Sequence, residues 1–184
     1  MKLDMLLFAL LICSVLITNA CDSDYHSVRK QLSVFESSVV VLPPDLLLIS
    51  NGDIINTSDQ NTANIFFIYH ESVDCSDCFS RMIASLNRII TISYENNLEV
   101  KCVISPKPGD EAELIRKLNV IKLPFDFYID YTCSFHALNP NLPNDQRFYM
   151  FCTDNESKPV YVGDPSTNKH NYNLFLRSLK QHRP

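Results

Sequence analysis

Two cysteines separated by two residues, Cys75-Ser76-Asp77-Cys78, are the strongest chemical signal in the chain. A dithiol of this spacing suits three kinds of chemistry: thiol–disulfide exchange, a short structural disulfide, or half of a tetrahedral thiolate metal site. A closed zinc site needs two further ligands, and no second C-x-x-C and no His-x3-His run follows. A structural disulfide here closes a very short ring, so its gain in loop-closure entropy is small. Exchange suits the spacing best. In that reading Cys75 is the attacking nucleophile and Cys78, one turn later, resolves the mixed disulfide.

The elements on either side position the pair. Asn64 to His70 (Asn-Ile-Phe-Phe-Ile-Tyr-His) is short, apolar and partly β-branched, as a buried strand is. After the dithiol, Phe79, Met82, Ile83, Leu86, Ile89 and Ile90 fall on one helical stripe. A thiol at a helix start sits near the positive end of the helix dipole, which favours thiolate. Asp77 between the sulfurs, with Asp74 and Glu71 just before them, opposes it and predicts a comparatively reducing pair. His70 would act in the other direction if its imidazolium approached Cys75; a solvated strand-end histidine is the alternative reading.

The chain begins with a charged start, an apolar stretch of about a dozen residues and a small residue at Ala20, the pattern of a secretory leader. It is too short for a comfortable membrane span, which takes about 20 apolar residues. Ala20-Cys21 resembles the lipobox of bacterial lipoproteins, with Thr18 and Asn19 departing from it; plain cleavage near Ala20 is the alternative. The expectation is an exported protein of the cell envelope, lipid-anchored to a membrane at Cys21. Residues 1–20 are then the leader, 21–38 a tether with a short helix, and 39–184 the folded domain. Of seven cysteines, Cys13 leaves with the leader and Cys21 carries lipid. Cys75, Cys78, Cys102, Cys133 and Cys152 remain, an odd set, so at least one stays free or pairs between molecules. Cys102, in the apolar run Leu98 to Ile104, reads as an inert core thiol. Cys133 and Cys152 are candidates to bridge neighbouring segments.

Removal of the leader leaves about 164 residues, enough for one domain with a real core. A net charge of −5 with mixed signs and no basic tract excludes nucleic acid as a natural partner. Asn56-Thr-Ser58 and Asn155-Glu-Ser157 match glycosylation sequons, which matter only in a eukaryotic secretory route.

Periodicity and turn signals predict the remaining elements. Residues 25 to 37 form an amphipathic helix with Val28, Leu32 and Phe35 inward. Val39 to Leu42 and Leu46 to Ile49 are extended around Pro43-Pro44, and Asn51-Gly52 turns. Leu98 to Ile104 and Phe125 to Tyr131 are strands. Between them a helix runs to about Leu118, capped by Asp110 with Glu113 as its capping-box partner. Residues 132–146 are a connecting loop. Phe148 to Thr153 and Val160 to Val162 make a hairpin, and Tyr172 to Leu179 a closing helix. The alternation argues an α/β fold, a central mixed sheet with helices on both faces.

This order, with Ile65-Phe-Phe-Ile-Tyr-His-Glu-Ser-Val-Asp-Cys75-Ser-Asp-Cys78 and the stretch from Arg147 to Pro165, resembles the TlpA-like or redoxin-like branch of the thioredoxin superfamily over residues 40–180. The resemblance implies a thioredoxin-like fold with a C-terminal hairpin and closing helix. It also implies disulfide exchange with client proteins, an upstream electron donor, and no metal or organic cofactor. The chain departs from the family pattern at the site. Asp74 and Asp77 stand where members commonly carry Trp and Pro. Tyr149-Met150 stands where a cis-proline contacts substrate, with Pro143 and the more distant Pro124 as substitutes or ordinary loop prolines. Tyr69 stands near the buried acid that assists the second cysteine, and a phenol is a poor base near neutral pH. The rival reading is a thioredoxin-like lipoprotein that binds partners and keeps an inert or structural dithiol. A copper chaperone, with His70 or His136 completing a soft thiolate site, is a further variant.

Overall fold

The computed structural model describes residues 25–50, 53–56, 65–71, 76–121 and 126–182. Leader residues 1–20, Cys21, Asn51-Gly52, Asp74, Cys75 and Pro124 lie outside them, and of Asp77 and Cys78 only the helical backbone is described. Helix α1 covers residues 25–36. There follow β1 (Leu47–Ser50), β2 (Asp53–Asn56), β3 (Ile65–His70), α2 (Ser76–Glu95), β4 (Glu99–Ile104), α3 (Glu111–Ile121), β5 (Phe127–Ile129), α4 (Phe135–Leu138), β6 (Met150–Thr153), β7 (Pro159–Val162) and α5 (Lys169–His182). A 3-10 turn, Gln146–Phe148, leads into β6.

The strands form one sheet in the order β2-β1-β5-β4-β3-β6-β7. β3, β4 and β5 are parallel neighbours. They are joined through α2 and α3, the crossovers that parallel pairing demands. β6 runs antiparallel to β3, and β7 antiparallel to β6. The run β4-β3-β6-β7, closed by α5, is the thioredoxin-like arrangement; β5, β1 and β2 widen it beyond β4. The expected α/β class, a mixed sheet with a C-terminal hairpin and closing helix, is therefore what folds.

Each face of the sheet has its own core, and β3 feeds both because strand side chains alternate. Phe66 and Ile68 join Leu86 and Ile89 of α2, Leu114 and Leu118 of α3, and Phe175 and Leu179 of α5. Ile65, Phe67 and Tyr69 join Phe35 of α1, Phe135 of α4, and Phe151. Phe67 stacks on Phe151 at 5.1 Å between ring centroids, and Phe35 meets the same ring edge-on at 5.1 Å. α1 therefore rests on the sheet through Phe35, as its predicted inward stripe requires.

Several expectations change. β2, unmarked in the sequence, pairs with β1 from Leu47↔Asn56 to Ser50↔Asp53. Residues 39–42 belong to no strand ladder. Val40 N–H donates to Ser157 O at 2.9 Å, while the Asn139 side chain accepts from Val41 N–H at 2.9 Å and donates to Val41 O at 2.8 Å. α3 continues to Ile121. Glu113 is no capping-box partner: it pairs with Lys117 at 2.9 Å, and Asp110 N–H donates to Lys107 O instead. The stretch 132–146 is not all loop, since it holds α4.

Candidate functional site at the C-terminal end of β3

Parallel pairing brings the C-terminal ends of β3, β4 and β5, at His70, Ile104 and Ile129, to one edge of the sheet. After β3 the chain moves to one side to build β4 and β5, then returns to lay β6 on the other side of β3. In open α/β sheets such a reversal leaves a crevice beyond the strand ends, where ligands bind. α2 begins here. Its first residue is Ser76 and its third Cys78, so the dithiol sequence joins the end of β3 to the N-terminus of a 20-residue helix.

A cavity of about 150 Å³ opens at this edge, lined by Tyr69, His70, Glu71, Gln146, Tyr149 and Met150. Tyr149 donates its phenol hydrogen to Glu71 Oε1 at 2.9 Å, and His136 Nε2 stands 4.0 Å from the same oxygen. Burial, then the carboxylate of Glu71, pushes the Tyr149 phenol well above the ordinary range. The His70 Nε2 atom is buried and has no hydrogen-bond partner among the described residues. That burial lowers the His70 pKa to about 4. At neutral pH the imidazole is therefore neutral. It can accept a proton or a hydrogen bond; it cannot act as a standing cation.

Beneath the cavity lies a polar hub that sequence reasoning missed. Asp130, directly after β5, is 1 % exposed. Its Oδ2 accepts from Phe135 N–H at 2.7 Å and Ser105 Oγ at 3.0 Å, and its Oδ1 from Thr132 Oγ1 at 3.0 Å and Ser134 Oγ at 3.3 Å. The Phe135 bond satisfies the first amide of α4, whose preceding residue Ser134 makes no side-chain cap. α4 in turn sets Phe135 against Tyr69 at 4.7 Å and places His136 beside Glu71. Tyr69 shares a hydrogen bond with Ser105, and burial raises its pKa to about 12. As expected, it is no base near neutral pH. The run Asp130-Tyr-Thr-Cys-Ser134 was the available signal, because Asp, Thr and Ser after a strand favour side-chain-closed turns.

The other cysteines resolve individually. Cys102 is a free thiol buried in β4, and desolvation holds it well above the ordinary thiol range, so it is the inert core residue expected. Cys133 and Cys152 form no disulfide with each other, which overturns the suggested bridge. Cys152 lies buried within β6, between Phe66 and Tyr161 of the neighbouring strands. Cys133 sits in the turn after β5 at φ 52° and donates to Pro106 O at 3.3 Å. Partial burial and the negative charges of Asp130 and Glu111 raise its pKa, which makes it a weak nucleophile. Pro143 lies with Lys30, Gln31 and Val34 in a groove against α1, while Tyr149 and Met150 line the cavity before β6. Among the described residues no cluster of three His, Cys, Asp or Glu side chains is arranged to hold a metal ion. Nor is any helix among them long and apolar enough to cross a membrane.

No family model matches the chain. No curated protein matches it either. Among solved structures it is similar to the solution structure of an uncharacterized thioredoxin-like protein from Porphyromonas gingivalis. The two share 17 % identity at a TM-score of 0.46, over 79 % of this chain and 94 % of that one.

Proposed function

We propose that the protein is a thiol–disulfide oxidoreductase of the cell envelope, exported and held to a membrane through lipid on Cys21. The observation that carries this reading is positional. In sequence, C-x-x-C falls between the end of β3 and the first turn of α2, and the strand order reverses at β3. In the reaction the Cys75 thiolate attacks one sulfur of a client disulfide, forming the mixed disulfide and expelling one client thiolate. Cys78 thiolate then attacks the Cys75 sulfur, releasing the second client thiolate and leaving the Cys75–Cys78 disulfide. An upstream dithiol donor returns the pair to its reduced state. The direction of net flow follows from the potential of the pair, which the acidic Asp74 and Asp77 shift toward reducing values.

The deciding experiment equilibrates the chain in glutathione or dithiothreitol buffers and maps alkylated thiols by mass spectrometry. A reversible Cys75–Cys78 couple between about −120 and −270 mV, the span of known exchange catalysts, supports the proposal. Cys75→Ser should abolish exchange, whereas Cys78→Ser should accumulate mixed disulfides through Cys75. A bond that resists reduction below about −300 mV marks a structural staple, and the binding-module reading then stands. One observation favours that second reading: Tyr149, hydrogen-bonded to Glu71, fills the position where the resemblance calls for a proline.

A further inference from the structure

A second concavity lies on the opposite end of the dithiol helix. It is a groove of about 620 Å³ between α2 and the start of α5, within the range of about 300–1,000 Å³ typical of small-molecule sites. Ile92, Pro165 and Tyr172 give it an apolar wall, while Arg88 of α2 and Lys169 of α5 bring two cations to it. Among the described residues no acidic side chain lines it, although the chain as a whole carries a net charge of −5. Ser166 also lines the groove, and its Oγ is buried without a hydrogen-bond partner among the described residues. The Asn168 side chain already accepts from Asn171 N–H at 2.9 Å, so the cations rather than the helix end are left to hold an anion.

From this apolar wall, paired cations and acid-free lining, we infer that the groove binds a single-chain amphiphile with an anionic head, an alkyl phosphate or carboxylate taken up as a free monomer. The head lies between Arg88 and Lys169, within reach of Ser166, and the chain lies along Ile92, Pro165 and Tyr172. Arg88 is twelve residues beyond Ser76, about 18 Å along the helix, so the site is independent of the dithiol and of the redox proposal.

The test uses the full chain with dodecyl phosphate below its micelle concentration, read by calorimetry and by amide NMR shifts. Dodecyltrimethylammonium, inorganic phosphate and phosphatidylglycerol vesicles serve as comparisons. The expected result is saturable, one-to-one binding of dodecyl phosphate, with shifts confined to the α2–α5 groove. Arg88→Gln and Lys169→Gln should each weaken it about three- to fivefold, the scale of an exposed charge pair. Ile92→Asp should abolish binding; this position is partly buried against the core, and a native amide spectrum of the variant excludes unfolding as the cause. Equal affinity for the cationic detergent, affinity unchanged in all three variants, or binding to vesicles without binding of the monomer would each overturn the inference. Inorganic phosphate binding as tightly as dodecyl phosphate would overturn the role of the apolar wall.

Discussion

Replacing Asp130 should separate charge from hydrogen-bond geometry, because its four donors are of two kinds. Oδ2 receives Phe135 N–H, which can only donate, and the buried Ser105 hydroxyl. Oδ1 receives two hydroxyls, of Thr132 and Ser134, and hydroxyls can reverse and accept. Asp130→Asn can therefore keep its oxygen toward Phe135 and Ser105 and donate its amide hydrogens to Thr132 and Ser134. Its cost is the lost charge assistance alone, about 1 kcal/mol. Asp130→Ala strands the Phe135 N–H at about 1–3 kcal/mol and takes from Ser105 a charged acceptor, leaving it Tyr69, whereas Thr132 and Ser134 turn to water; the loss is about 3 kcal/mol. Against a typical domain stability of about 5–15 kcal/mol, that is a large fraction. Urea unfolding followed by far-UV circular dichroism measures both. α4 should also loosen in the Ala variant, so hydrogen exchange at Phe135 to Asn139 should accelerate there and stay near native in Asn. Equal losses in the two variants, or a loss under about 1 kcal/mol in Ala, would refute the assignment of Asp130 as the hub that holds α4.

His70 gives a pH signature. Its native pKa of about 4 lies below the ordinary 6.5, so the native state stays neutral while the unfolded chain takes up a proton. Stability from this residue is fully present above pH 6.5 and is lost as pH falls toward 4, by up to roughly 3 kcal/mol. Urea midpoints at pH 7 and 4.5 should diverge in the native chain and converge in His70→Gln; an equal drop in both would remove His70 as the cause. Tyr149→Phe should cost about 1–2 kcal/mol, the value of a part-buried hydrogen bond to a carboxylate, and Glu71→Gln should cost less because its amide oxygen still accepts. A double-mutant cycle that gave no coupling between the two would deny the contact. At alkaline pH the raised Tyr69 and Tyr161, both at about 12, bind protons that the unfolded chain releases near 10. Stability should therefore decline from pH 10 to 12, with late phenolate absorbance at 295 nm coinciding with loss of circular dichroism. Complete tyrosine ionisation in a chain that is still folded would contradict their burial.

The parts of the fold legible in the sequence are those whose own periodicity decides their structure. Ile65 to His70 is apolar on both faces because β3 lies inside the sheet, between β4 and β6, with a core on either face. The stripe through Leu86 and Ile89 declares α2 because only one side of that helix meets the sheet. β2 could not be read, since Asp53-Ile-Ile-Asn56 has no alternation that points inward; Ile54 and Ile55 are exposed, and pairing with β1 alone makes it a strand. α4 could not be read either. Four residues hold no helical signal of their own, and the carboxylate that satisfies its first amide lies five residues earlier, fixed to Ser105 across 25 residues of chain. The same distance in sequence hid the Asn139 clamp on Val41, which joins positions 98 apart. At the site, the dithiol and its helix were evident. The neutral state of His70 was not, because it depends on burial that no local pattern encodes.

Under the proposed function, the backbone at the start of β6 narrows how a client is held at the cavity after β3. Tyr149 O accepts from Tyr69 N–H at 2.9 Å, and Tyr149 N–H donates to Gln146 O at 3.2 Å. Met150 O is taken by Gly163 N–H at 2.7 Å, an approach made from the φ of 125° that glycine adopts without strain. None of these three groups is left for a client strand. Recognition by backbone pairing at this point would require breaking a bond already made, at a cost of about 1 kcal/mol or more for each. The free functionality at the crevice belongs instead to side chains: the Tyr149–Glu71 pair, His136 beside it, and the neutral His70 imidazole. An extended peptide gains affinity at a sheet edge chiefly from its main chain, and specificity from side-chain pockets. With the main-chain share withdrawn, this crevice favours discrimination over breadth. If the proposed exchange takes place here, its clients are few, selected by polar and aromatic groups near their disulfide, rather than disulfides at large.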